Sequence, residues 1–176
     1  MCAQYARRVS EFVLPSVVFG FMVVESLRAS ANERAQRARG GVEPAGDVYR
    51  IMRIAYPGGF LAMLIEGMLR AAPPLPVLFA GAVLFAAAKG LKWWAIHALG
   101  PFWTFRVIVV PGARLVAGGP YRWLRHPNYI AVMGELVGVA LMTGARVSGV
   151  IAVATFGWLL IRRISLEERA LREAAR

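Results

Sequence analysis

Apolar residues fall along this chain in five blocks, at 12–27, 54–69, 75–94, 129–143 and 147–161, with polar or glycine- and proline-rich segments between them. Blocks so uniformly apolar lack the one-sided periodicity of a soluble core helix. They suit lipid as solvent, where roughly 17–25 residues cross the hydrocarbon. The first block meets Glu25 and Arg28 without a small-residue cleavage site, and reads as a retained span rather than a secretory leader. Pro57-Gly58-Gly59 interrupts the second block, which is tolerable where neighbouring helices satisfy the freed backbone groups. Ala71-Ala72-Pro73-Pro74 and Gly144-Ala145-Arg146 are tight connections, so each joins an antiparallel hairpin. The last two blocks are short, and cross obliquely or with help from neighbours. The expected fold is all-α: a multi-pass transmembrane bundle of about five spans.

The polar segments complete the plan. Residues 30–39 read as a short charged helix on the membrane surface, and 40–47 as loop. Residues 100–127 are aromatic, basic and rich in glycine and proline, which predicts a structured loop packed on the membrane face. The tail, 162–176, places Glu and Arg at helical spacing and predicts a charged C-terminal helix. No internal repeat is evident. The chain reads as one integral-membrane domain, 1–176, with N-terminal spans in 1–92 and the chemistry in 93–176.

Composition supports this reading. Of the 176 residues, 58% are hydrophobic and 18% charged, with a mean hydropathy of +0.54. The net charge of +11 would suggest nucleic acid on a soluble protein. Here the basic residues flank apolar blocks, as in membrane-protein loops beside anionic lipid, and no nucleic-acid partner is expected. The single cysteine, Cys2, has no partner for an internal disulfide, and no metal site is expected. With five spans, segments 28–53, 92–125 and 162–176 share one side and hold 16 Lys and Arg, against Arg7, Arg8, Arg70 and Arg146 opposite. The positive-inside rule places the first three in the cytoplasm, although Arg7 and Arg8 dissent locally. The loop and the tail then face the compartment that holds soluble cofactors.

Candidate chemistry concentrates in Gly119-Pro120-Tyr121-Arg122-Trp123-Leu124-Arg125-His126-Pro127-Asn128-Tyr129. The prolines stiffen the backbone and the glycines permit close approach. The aromatic and basic side chains suit a cofactor with a purine, a ribose and a zwitterionic end; they suit equally an interfacial aromatic belt with snorkelling arginines. In the tail, Arg163 and Glu167 stand four apart on one helix face. A carboxylate there can take a cofactor ammonium or ribose, and the arginine an anionic substrate. A solvated helix with ordinary ion pairs, such as Glu168 with Arg172, fits that spacing too.

Taken together, the loop, the apolar hairpin of about 35 residues and Arg163-Ile164-Ser165-Leu166-Glu167-Glu168 resemble the isoprenylcysteine carboxyl methyltransferases and their bacterial relatives, and more distantly the phospholipid methyltransferases. The resemblance is strongest from Trp93 to Leu171 and implies S-adenosyl-L-methionine as cofactor. It implies a cofactor pocket from a strand-like segment, Ala113-Arg114-Leu115-Val116, the loop tyrosine Tyr121, and the tetrad His126-Pro127-Asn128-Tyr129. It further implies Glu167 as cofactor carboxylate, Arg163 as the catalytic arginine facing substrate, and Arg106 at a polar cofactor position where eukaryotic members differ. Glu168 would orient its neighbour. The first half departs from the eukaryotic enzymes: Glu33-Arg34, Ala38-Arg39-Gly40-Gly41-Val42-Glu43 and Trp93-Trp94-Ala95-Ile96 look like bacterial members associated with type III polyketide synthases, which are taken to O-methylate alkylpyrones or phenolic lipids.

The resemblance thus implies a lipidic acceptor methylated on a carboxylate or acidic hydroxyl, within a bacterial inner membrane and with the cofactor site facing the cytoplasm. Two other activities share the architecture: an NADPH-dependent reductase of the sterol-reductase type and a phospholipid N-methyltransferase. Arg163 disfavours the latter because it would repel a cationic acceptor. No Gly-x-Gly-x-x-Gly unit follows a strand, against a Rossmann-type methyltransferase. Glu25, Glu66 and Glu135 lie in or at the ends of spans, where ionisable groups are costly. Glu135 either lines the substrate passage or has a buried structural role.

Overall fold

The structure, a computed structural model, describes residues 2–113 and 116–174, with side chains described from residue 12 onward apart from 114, 115, 171 and 174. Among the described residues five helices follow one another: α1 (Cys2–Ala38), α2 (Tyr49–Leu69), α3 (Leu75–Leu99), α4 (Pro127–Thr143) and α5 (Ser148–Ala174). Short 3-10 turns stand at Gly100–Phe102 and Gly119–Arg122. Among the described residues there is no sheet; an isolated antiparallel bridge joins Val42 to Val109.

The all-α expectation holds, with different boundaries. The charged stretch 30–39 is no separate surface helix. It continues α1, whose 37 residues reach about 55 Å at the α-helical rise. Nothing in 28–38 breaks a helix: Gly40 and Gly41 are the first residues able to, and the helix ends at Ala38. The charged tail likewise continues the fifth apolar block in α5. Three helical segments among the described residues are long and apolar enough to cross a membrane: Phe12–Ala38, Leu75–Phe102 and Ser148–Ala170. Helix α4 is apolar but shorter, at 17 residues, and α2 carries Arg50, Arg53 and Glu66. Helix α3 extends past residue 94 to Leu99, so Lys92 is a buried residue of this helix and not part of the basic loop that follows.

Of the two expected hairpins, the one through 144–147 forms, with α4 and α5 packed on each other. Gly144 ends α4 in the left-handed region at φ 67°, where glycine costs least. The connection through 70–74 leads α2 directly into α3, but these two helices do not pair: α2 packs on α4 and α5, and α3 on α4. Glu66 ties the two connections together: its carboxylate accepts from the Val147 and Ser148 amides at 3.2 and 2.7 Å, capping α5, and pairs with Arg70 Nε at 2.6 Å. These are the donors a helix N-terminus leaves unsatisfied.

Helices α3 and α4 are the most closely packed pair. A Cβ on Gly81 would lie 2.8 Å from the Gly138 carbonyl oxygen, and one on Gly138 3.0 Å from that of Gly81. Small residues permit this approach where lipid supplies no hydrophobic drive between helices. Gly138→Val is expected to destabilise the bundle by about 3 kcal/mol or more, read as thermal unfolding in detergent. Gly157→Ala, whose Cβ would meet only a methionine methyl at 3.6 Å, serves as the near-neutral comparison. The main core joins α2, α4 and α5 through Phe60, Met63, Leu136, Val139 and Leu159. Helix α1 joins that core through Val18, and in its C-terminal half Asn32 donates to the Gly100 and Trp103 carbonyls at 3.0 and 2.7 Å and Gln36 to that of Pro101 at 3.0 Å.

Candidate active site

Proline at the first position of α4 starts the helix directly after His126. Asn128 and Tyr129 therefore sit in its first turn, at the level where α5 presents Arg163 and Glu167 on one face. The hairpin closes a relay: Arg163 Nε donates to the Tyr129 hydroxyl at 3.0 Å, and that hydroxyl donates to Glu167 Oε2 at 2.6 Å. The His126 ring stacks on Tyr129, centroids 5.4 Å apart and planes within 15°. Its Nε2 lies 3.5 Å from Glu168 Oε1, and Glu168 also pairs with Arg172 at 3.2 Å. Glu168 thus orients His126 and its own helix; no bond joins it to Glu167.

Arg163 is buried, and most of its donors are committed. Its guanidinium donates to the Phe105 carbonyl and reaches Asp47 Oδ1 at 3.4 Å and the Met52 sulfur at 3.8 Å. Asp47 is the other node of this arrangement. Its two oxygens also accept from the Tyr49 amide at 3.0 Å and the Val107 amide at 3.1 Å. One carboxylate therefore fastens the 39–48 connection, the start of α2, the 103–109 segment and α5.

Arg163, Tyr129, Glu167 and His126 face a cavity of about 560 Å³, with Asp47 and Glu168 behind its wall. Arg106, Tyr121, His126, Asn128, Tyr129, Arg163 and Glu167 all line it, so the folded chain brings together seven of the residues singled out from sequence. Phe19, Met22, Met52, Val132, Phe156 and Leu160 supply apolar wall. Burial and the neighbouring Glu167 charge push the Tyr121 hydroxyl well above its usual pKa, keeping it a neutral donor. Asn128 Oδ1 accepts from the Trp103 indole at 3.3 Å, fixing its amide against the loop. Arg106 pairs with Glu43 at 2.7 Å and Glu33 at 3.5 Å and lies 4.6 Å over the Tyr49 ring. The Glu43 hydrogen bond holds the guanidinium charged against the opposing effect of burial. Burial also acts against the Glu43 carboxylate, but hydrogen bonds from Arg106 and Arg37 hold its pKa below the usual range.

Other expectations land elsewhere. Pro127 is buried and opens α4 without lining the cavity. Ala113 is exposed in a turn and Val116 is half-buried; neither lines the cavity, and neither belongs to a strand. Arg114 and Leu115 lie outside the described residues. Glu135 is not on the cavity wall either. It accepts from the Tyr56 hydroxyl, and Tyr56 is what the cavity meets. Sequence reasoning missed Asp47, Tyr56, Trp103 and Lys92. Lys89 and Lys92, three apart in an apolar block while Glu25 and Glu135 occupy two others, carried a usable signal: buried charges require partners. Among the described residues no three His, Cys, Asp or Glu side chains come together as metal ligands.

The sequence profile of the isoprenylcysteine carboxyl methyltransferase family matches residues 80–173, just over half the chain and all of the α3–α5 side of this cavity. The chain belongs to that family. Family membership suggests a membrane methyltransferase that uses S-adenosylmethionine. The chain is also similar to YpbQ of Bacillus subtilis, described as uncharacterized, with 28% identity over 162 residues covering 92% of this chain and 96% of the relative. An uncharacterized protein of Haemophilus influenzae is 23% identical over 141 residues, covering 80% and 82% respectively. No solved structure matches the chain.

Proposed function

We propose that this family member is an integral-membrane S-adenosylmethionine-dependent methyltransferase whose acceptor is the carboxylate or acidic hydroxyl of a lipid, such as an isoprenylcysteine-like acid, an alkylpyrone or a phenolic lipid. The observation that carries the reading is the Arg163–Tyr129–Glu167 relay on the wall of a largely apolar cavity, inside the segment that matches the family. The whole chain forms one domain that crosses the bacterial inner membrane five times, α2 and α4 included. The basic ends of α1 and α5 and the loop face the cytoplasm, in keeping with the positive-inside rule.

The residues present fit the cofactor. Glu167 keeps one carboxylate oxygen without a partner among the described contacts, and that oxygen would take an ammonium or ribose hydroxyl. The stacked His126–Tyr129 pair and Tyr121 offer aromatic faces to a purine, and Asn128 is an amide held in place beside them. Arg106 stands at the rim, anchored by Glu43. S-adenosylmethionine bound there would supply an electrophilic methyl on a sulfonium, which departs as a neutral thioether.

The chain's own groups do the rest. Positioning supplies much of the acceleration for an in-line transfer of this kind. Arg163, rigid on four protein acceptors, sets a fixed positive charge beside the acceptor anion and aligns it without protonating it. Met52, Phe156 and Leu160 keep water out and receive the lipid tail. The test is S-adenosylhomocysteine in detergent or nanodiscs: saturating ligand at a hundred times its Kd is expected to add about 2.7 kcal/mol of stability, with no matching effect from NADPH. Labelled S-adenosylmethionine with native lipid extract would then identify the methylated product. Stabilisation by NADPH alone would replace this reading with a reductase.

A further inference from the structure

Below the Arg163–Glu167 level the cavity ends on charge. Glu25 of α1, Lys89 and Lys92 of α3 and Glu135 of α4 form a neutral quartet, each at most 6% exposed, and Tyr56 of α2 completes it. Glu25 bridges both lysines, at 2.9 Å to Lys89 and 2.7 Å to Lys92. Glu135 Oε2 lies 3.1 Å from Lys89 and also accepts from the Tyr56 hydroxyl. Its Oε1, 3.4 Å from Lys92 Nζ, is out of line for a hydrogen bond and accepts none among the described residues. Taking such charges out of water is expensive, and apolar residues of like volume hold a bundle at least as well. Ionisable groups inside membrane helices characteristically face an interior cavity. Here Glu25, Tyr56 and Lys92 do so, whereas Lys89 and Glu135 stand behind them as counter-charges.

We propose that the Glu25–Tyr56–Lys92 face is a subsite for a second polar group on the lipid acceptor. Tyr56 donates its proton to Glu135, and its oxygen accepts only a long bond from Lys92 Nζ, at 3.5 Å, so one lone pair remains for a ligand O–H while Lys92 itself is held by Glu25 at 2.7 Å. Tyr56 cannot swing away, since its ring is packed edge-on to Phe60 at 4.9 Å and against Phe156 at 5.0 Å. Tyr129 and Glu135 are six residues apart on α4, which places the two polar levels roughly 9 Å apart along the helix. The spacing selects a head group with two oxygens, such as a dihydroxylated ring, over an acid or monophenol whose hydrocarbon begins at once. A head of that second kind would leave the buried Tyr56 and Lys92 facing carbon. This inference rests on the proposed methyltransferase reading and names the substrate class within it.

A matched pair of probes tests it: 5-hexylresorcinol and 3-hexylphenol, which differ by one ring hydroxyl. Their affinities are measured in nanodiscs for protein loaded with S-adenosylhomocysteine. The resorcinol is expected to bind about tenfold or more tightly, and Tyr56→Phe is expected to reduce the preference to within about twofold. Equal wild-type affinities, failure of both probes to bind, or a preference that survives Tyr56→Phe would each overturn the subsite. A variant that loses stability and keeps the preference would show Tyr56 to be a structural pin only. S-adenosylhomocysteine affinity, read on the same preparations, separates the two levels: its absence in the wild type defeats the methyltransferase reading, and its presence without discrimination defeats the subsite alone.

Discussion

Glu167→Ala is expected to weaken S-adenosylhomocysteine binding by about 1.5–3 kcal/mol, the range for a hydrogen bond to a charged group. That is a rise in Kd of roughly ten- to a hundredfold, measurable by calorimetry in detergent. The substitution removes the one carboxylate of the relay that has an oxygen to spare, and it strips the Tyr129 hydroxyl of its acceptor. Tyr129→Phe leaves the carboxylate in place but unfastened, so a loss of about 1 kcal/mol is expected. His126→Ala, which removes the ring stacked on Tyr129, belongs with these and also weakens binding. Glu168→Ala is the contrast: it faces His126 and Arg172 rather than the relay, and the smallest change is expected there. Unchanged affinity in both Glu167→Ala and His126→Ala would remove this wall of the cavity from the cofactor site.

Arg163→Ala carries the second large expectation, and it is a double one. The guanidinium is the cationic partner of the buried Asp47, and removing one member of a buried pair costs about 3–5 kcal/mol. Thermal unfolding reads that loss. Asp47→Asn in the same chain is expected to recover a good part of it, since the amide no longer needs a counter-charge; the double-mutant cycle gives the coupling. At a temperature where the single variant is still folded, methyl transfer is expected to fall further than S-adenosylhomocysteine affinity does. An Arg163→Ala protein of wild-type stability would mean that Asp47 is held by the Tyr49 and Val107 amides alone. Equal losses in turnover and in cofactor affinity would reduce Arg163 to a support for Tyr129.

The parts legible in the sequence were those with a local signature. Block lengths and proline or glycine breaks located the α4–α5 hairpin and the tight α2–α3 connection, though not that α2 and α3 pack on α4 rather than on each other, and the i,i+4 spacing put Arg163 and Glu167 on one face before any tertiary information was available. His126-Pro127-Asn128-Tyr129 was legible as a helix start because proline is preorganised there. What escaped was either continuous or distant. The charges in 30–39 and 162–176 suggested new helices, yet a change of solvent along a helix does not break it, and α1 and α5 leave the apolar region intact. Asp47 sits in an ordinary-looking polar connection, and its importance lies wholly in partners 60 and 116 residues away. Gly81 and Gly138 meet because small residues face each other across α3 and α4, a pairing that neither helix declares alone.

The unbroken course of α5 limits how chains of this family can change length. Leu159 is fully buried in the core, and from there to Glu167 the backbone is one rigid rod. Inserting or deleting a single residue between them turns everything beyond by about 100°. Arg163 or Glu167, or both, would then point into lipid or water, with Tyr129 left behind. Side chains on the outer face of that stretch can drift freely, but its residue count cannot. Length variation among relatives is therefore expected in the 70–74 and 144–147 connections, and an alignment gap between residues 159 and 167 would mark a descendant that has given up this site.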